Sequence, residues 1–195
     1  MMPRTHKISA NVLLLVLAGT SCGPAKPTTF PDDGKVKEAQ KKWCGALEAV
    51  QKEDFRHKTE CLAATPTGSS AFVAKMAECY QQRGEEFGEN RPDSGAMVAD
   101  CAETVMVAAD PGNVSGSPVV KARCRRSLRC NEVDEATCID TFNDLDGMQK
   151  ATLTSMYNLR AQTDIAECID ALGCEDPTAE NACFKEANVA RVYLP

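Results

Sequence analysis

Only 5% of this chain is aromatic, tryptophan occurs once and histidine twice, and no apolar run approaches the roughly 20 residues that a helix needs to cross a bilayer. Few aromatics disfavour a sheet-rich fold. Histidine is the usual general base, and His57 is the single one beyond the first few residues; flanked by Arg56 and Lys58, it reads as an exposed helix position. From Gly23 onward the chain has no GxSxG elbow, HExxH zinc helix, EF-hand loop or phosphate-cradling glycine loop. No cysteines stand as CxxC, the spacing that binds zinc or exchanges disulfides. These gaps leave no catalytic residue, cofactor or metal site to name. Asp140, Asp144 and Asp146 form an acidic patch, but the spacing is wrong for a calcium loop and a solvated helix end is the plainer reading. A formal charge of -6 excludes a general nucleic-acid binder, because such binding is driven by phosphate neutralisation.

What the chain has in excess is cysteine, eleven among 195 residues, which points to an oxidising compartment. Alanine, glutamate, lysine and glutamine recur throughout and favour helices, so the fold is expected to be all-α.

The N-terminus reads as an export signal. Arg4 and Lys7 form a positive region, an apolar stretch runs from Val12 to Ala18, and Gly19, Thr20 and Ser21 are the small residues a signal peptidase requires. The segment "LAGTSC" resembles the lipobox of bacterial lipoproteins, with Gly19 where they usually carry leucine. The resemblance covers about the first 23 residues. It implies cleavage after Ser21, diacylation of Cys22 and a stable membrane anchor. Residues 1-21 are then a leader, 22-32 a proline-containing tether and 33-195 a cysteine-rich helical domain. Loss of Arg4 and Lys7 takes the formal charge from -6 to -8. Gly23 stands where an aspartate would signal inner-membrane retention in enterobacteria, which favours the outer membrane.

The domain contains a repeat. Cys124, Cys130 and Cys138 recur as Cys168, Cys174 and Cys183 at offsets of 44, 44 and 45 residues. Asp54, Ser94, Asn131 and Asp176 each stand seven residues before Cys61, Cys101, Cys138 and Cys183. All four have short side chains that cap helices, and Pro177 suits a first helical position. Each such cysteine is therefore expected two turns into a second helix, opposite a cysteine of the first. Four stapled αα-hairpins result, over about 33-64, 69-109, 116-145 and 147-190. The expected pairs are Cys44–Cys61, Cys79–Cys101, Cys124–Cys138 and Cys168–Cys183, with Cys130–Cys174 joining the last two units. A competing scheme joins neighbours across a break, such as Cys61 with Cys79.

Helical periodicity places Trp43, Leu47, Phe55, Phe72, Met76, Met97, Val105, Phe142, Met156 and Phe184 in the core, and Val120, Cys124 and Leu128 along one edge of a helix. Beside that edge, "KARCRRSLR" holds five cations in nine residues. Lys121, Arg125 and Arg129 form a stripe with Arg126 next to it, a candidate contact for anionic head groups or an acidic partner. The plainer alternative is a solvated face paired with the protein's own acids. The sequence as a whole reads as an envelope lipoprotein with a non-enzymatic interaction or structural role, accessory to a surface or motility complex. Its expected partners are the membrane, through the anchor, and other envelope proteins. The alternative is a ligand-binding or periplasmic enzyme module whose site has no sequence pattern.

Overall fold

Four amphipathic helices make the frame of the protein, and each owes its start to a nearby polar residue or its face to apolar spacing. In the computed structural model, residues 32-52, 55, 57-176 and 178-186 are described. Helix α1 (Asp33–Gln51) buries Val36, Ala39, Gln40, Trp43, Cys44, Leu47 and Val50, the three- and four-residue spacing of one helical stripe. Helix α3 (Ser70–Phe87) starts where the Ser69 side chain accepts from the Phe72 amide, and it buries Phe72, Val73, Met76, Ala77 and Tyr80. Helix α5 (Pro118–Asn131) is capped by Ser117 with Pro118 at its first position, and α8 (Leu159–Ala171) is capped by Asn158. The strongest packing pairs α1 with α3 and α5 with α8.

Each long helix carries a shorter partner: α2 (Lys58–Ala63), α4 (Ser94–Ala108), α6 (Glu135–Asn143) and α9 (Glu180–Glu186). Disulfides Cys44–Cys61, Cys79–Cys101, Cys124–Cys138 and Cys168–Cys183 fasten the four pairs, and Cys130–Cys174 joins the end of α5 to the connection between α8 and α9. Their Cα separations of 5.3 to 6.0 Å lie inside the range a disulfide requires. Among the described residues there are nine α-helices and no strand, so the fold is all-α.

The pairs match the repeat, but the helix starts behind them differ from expectation. Asp93 caps α4, so Ser94 is already helical, and Asp134 caps α6, while Asn131 is the last residue of α5. Asp176 accepts from the Thr178 amide and hydroxyl in a local turn, and α9 begins only at Glu180. Asp54 and Pro177 lie outside the described residues. Cys61, Cys138 and Cys183 therefore sit in the first turn of their helices, and Cys101 alone lies two turns in. Short aspartates are interchangeable as caps, and the tertiary contacts select among those within reach.

Helix α7 (Gly147–Thr154) has no counterpart in the repeat; it packs against α4 and α5 and closes the two halves of the molecule. Nearby, the loop after α2 meets the loop before α8. The Asn158 amide donates to Thr67 O at 2.9 Å and the Ser69 amide to Met156 O at 2.8 Å, around an antiparallel bridge between Gly68 and Tyr157. Asn158 is buried, and its side chain also donates to Pro66 O at 2.7 Å while capping α8.

The core is one cluster from α1 to α9. Trp43, Leu47, Phe72, Met76, Met97 and Val105 are buried in it as expected, and Phe55, Phe142, Met156 and Phe184 pack against its edge. Leu128 departs from the pattern: it is 51% exposed at the outer side of α5. Tyr80, not singled out by periodicity, is fully buried, edge-on to Trp43 with ring centroids 5.4 Å apart.

Where α1 crosses α3, Gly84 permits close approach. A Cβ there would stand 2.6 Å from Val50 Cγ2 and 2.8 Å from Cγ1. Alanine would gain about 0.5–1 kcal/mol in helix propensity but overpacks a well-filled contact, at a cost of about 1–3 kcal/mol. Gly84→Ala is expected to lower stability by about 1 kcal/mol in urea unfolding, and in a Val50→Ala background, where the clash is relieved, it should instead raise stability by up to about 1 kcal/mol. A stabilised Gly84→Ala protein would show that the crossing has room to spare.

Candidate functional site

The cationic stripe of α5 is the one surface the sequence marks for function, and its four residues have different fates. Lys121 is exposed. Arg125 is fixed on Asp170 of α8, with Nε donating at 3.1 Å and Nη2 forming a second, shorter hydrogen bond to the other carboxylate oxygen. That carboxylate raises the Arg125 pKa above its ordinary value and keeps the guanidinium charged. Arg129 reaches the Asp170 carbonyl at 3.1 Å and the carboxylate at 3.8 Å.

Arg126 is buried. Its Nε and Nη2 donate to Gly173 O at 3.2 and 3.0 Å, Nη2 also donates to Asp176 O at 2.7 Å, and Nη1 donates to Glu180 Oε1 at 3.0 Å. One guanidinium thus holds the connection between α8 and α9 and the first turn of α9. Of the two readings of the stripe, pairing with the protein's own acids describes Arg125, Arg126 and Arg129: Asp170, Glu180 and backbone carbonyls of the same chain hold them. The acids that do so lie more than 40 residues away, out of reach of any reading of the stripe alone.

Sequence reasoning missed Arg123, which completes this cluster. Its guanidinium lies between the rings of Phe142, at 5.9 Å, and Phe184, at 5.0 Å. Its Nε stands 2.9 Å from Glu180 Oε2, off the hydrogen-bonding direction, so the contact is an ion pair rather than a directed bond. The signal was present as Arg123 and Arg126 at three-residue spacing with two aromatics expected in the core. Around them, Cys130, Cys138, Val133, Thr141 and Cys174 complete an open cleft of about 440 Å³. Of the five disulfides, Cys130–Cys174 is the one at the surface, with Cys174 exposed and Cys130 half-buried.

The remaining candidates resolve into structural roles. Asp146 caps α7 by accepting from the Gln149 amide at 2.8 Å, and Asp144 sits at the end of α6. Among the described residues no group of three or more histidine, cysteine, aspartate or glutamate side chains is placed to hold a metal ion. His57 is exposed, as expected, but stands just before α2 with its Nδ1 2.7 Å from Glu60 Oε2. Cys22 lies outside the described residues. No described helix is long and apolar enough to cross a membrane.

The chain matches no known protein family, no characterised protein and no solved structure. Its chemistry must therefore be read from its own surface, which carries open grooves. One, about 650 Å³, runs between α3 and α4 and is lined by Ala71, Phe72, Val105 and Ala108 with Lys75 and Glu78 at its rim. A second, of about 540 Å³, lies between α1, the end of α2 and the start of α8.

Two tyrosines are held in their neutral form by burial. Burial raises the Tyr80 pKa above the usual 10.0, opposed by the hydrogen bond from Gln51 Nε2 at 2.8 Å, and burial raises Tyr157 as well. Because the folded-state values are raised, the neutral forms stabilise the fold below the unfolded tyrosine range, and that contribution fades as pH climbs through the folded values. Melting temperature is expected to fall above pH 10, and Tyr80→Phe should flatten that fall while costing about 1 kcal/mol at neutral pH for the stranded Gln51 amide. An unchanged alkaline slope in Tyr80→Phe would assign the fall to other groups.

Proposed function

We propose that this chain is a lipoprotein of the bacterial cell envelope, anchored in the outer membrane through acyl chains on Cys22. Its helical domain acts by binding other envelope proteins rather than by catalysis. The observation that carries the reading is the cysteine arithmetic. Ten of the eleven cysteines form five disulfides, so Cys22, at the end of the lipobox-like segment, is the thiol left over. The disulfides support an oxidising compartment outside the cytoplasm. Stapled short helices suit a protein that must persist there without chaperones, and the apolar groove between α3 and α4 supports a role in docking. An accessory place in a surface or motility complex is the finer form of this reading.

Cys22→Ser is expected to abolish labelling by a fatty-acid probe and to block processing of the precursor. Labelling of the Cys22→Ser chain, or normal maturation of it, would reject the anchor. Crosslinking in intact cells should then recover envelope proteins with the wild-type chain, and recovery of none would reject the interaction role.

A further inference from the structure

We propose that the end of the domain where α1 begins is a membrane-resting face, in which Lys37 and Lys41 meet acidic phospholipid head groups and Leu62 and Leu159 enter the boundary beside them. This rests on the lipid-anchor reading and adds to it the orientation of the domain. Lys37 and Lys41 are exposed one helical turn apart on α1, and both line the groove shared by α1, the end of α2 and the start of α8. Neither forms an ion pair with any described residue, whereas Lys42 leans on Glu38 at 3.8 Å. The acid in the groove, Asp33, is engaged by Arg160 at 2.8 Å, so it does not cancel the two lysines.

Apolar surface accompanies the charge. Leu62 lines the groove and is 43% exposed, and Leu159, next to the groove residues Asn158 and Arg160, is 38% exposed. Exposed leucines beside unpaired lysines match a bilayer boundary, where apolar side chains reach the acyl region and ammonium groups stay among the phosphates. The two ends of α1 differ in charge. At its start, the charged residues lining the groove are Lys37, Lys41 and Arg160 against Asp33, an excess of two cations. Toward its end, the charged residues lining the groove beside Val50 and Gly84 are Lys52 and Arg91 against Glu85 and Glu89, with no excess.

Chain length agrees. Cys22 precedes Asp32 by ten residues, which span at most about 35 Å, so an anchor there keeps the start of α1 near the bilayer. An acidic protein held close to an acidic surface is repelled unless it turns a cationic face toward it, and this is the face adjoining the anchor.

The test uses the processed wild-type chain on vesicles of phosphatidylcholine, with or without phosphatidylglycerol, and follows lysine acetylation by mass spectrometry. Lys37 and Lys41 are expected to react about fivefold more slowly on the acidic vesicles, with protection lost in high salt, since each cation near such a surface gains about that factor. Lys75 and Lys121, exposed elsewhere, should react equally on both. A chain that sediments with both vesicles while Lys37 and Lys41 react as fast as on neutral ones overturns the face and leaves the anchor standing. A chain that fails to sediment with phosphatidylcholine overturns the anchor. Salt-sensitive sedimentation with the acidic vesicles alone would then uphold the face, and its absence would overturn the face as well.

Discussion

Arg126→Met is expected to destabilise the protein by roughly 3 kcal/mol. The guanidinium side chain is only 9% exposed and faces Gly173 O, Asp176 O and Glu180. Methionine preserves most of the volume but donates nothing. Both carbonyls would then lose a partner, and Glu180, itself 18% exposed, would keep only Arg123. Breaking a buried ion pair from one side costs about 3–5 kcal/mol, and the surviving Arg123 contact places this case at the lower end. Arg126→Lys should recover less than half of the loss, because a single ammonium cannot span acceptors on three residues. Urea unfolding measures the total, and hydrogen exchange should show α9 opening well before α5. A cost below about 1 kcal/mol would mean that Arg126 replaces a hydration shell without net gain.

Removing the Cys124–Cys138 disulfide as Cys124→Ala/Cys138→Ala is expected to cost roughly 3–4 kcal/mol. The bond spans 14 residues, and cross-linking a loop of about that length removes about 3 kcal/mol of unfolded-chain entropy. Cys124 is fully buried and Cys138 nearly so, and losing two sulfurs leaves a small void that adds a fraction of this amount. The double serine variant should be worse than the double alanine by about 1–2 kcal/mol, because its hydroxyls would enter an apolar interior. Unfolding midpoints of the two double variants check the order. Equal stabilities would place the site in contact with water, and an unchanged midpoint in the alanine variant would mean that the α5–α6 pair is already ordered in the unfolded chain.

Much of the fold is written locally or periodically in this chain. The seven-residue interval before four cysteines and the 44-residue repeat pointed to which thiols share a pair of helices, because both recur at fixed spacing along the chain. The same local rules misassigned Asn131 and Ser94, since Asp134 and Asp93 lie close enough to compete for the cap. Leu128 followed the apolar period of α5 yet is 51% exposed, because periodicity marks a face and only packing decides how far along the helix that face is covered.

The candidate site shows the limit more sharply. Five cations in nine residues read as an open basic stripe, and composition cannot reveal that Asp170 and Glu180 fold back onto Arg125, Arg126 and Arg129. Conversely, Lys37 and Lys41 carry no motif, and they become a candidate face only because α2 and α8 bring Leu62, Leu159 and Arg160 beside them.

By itself the sequence determined the all-α class and the odd number of cysteines, and its repeat pointed to the pairing of ten of them. Each follows from short-range spacing, from composition or from a count. The tertiary structure decided which charges are consumed inside the molecule and which remain for a partner, because that depends on side chains 40 to 130 residues apart meeting when α1 packs on α3 and α5 on α8.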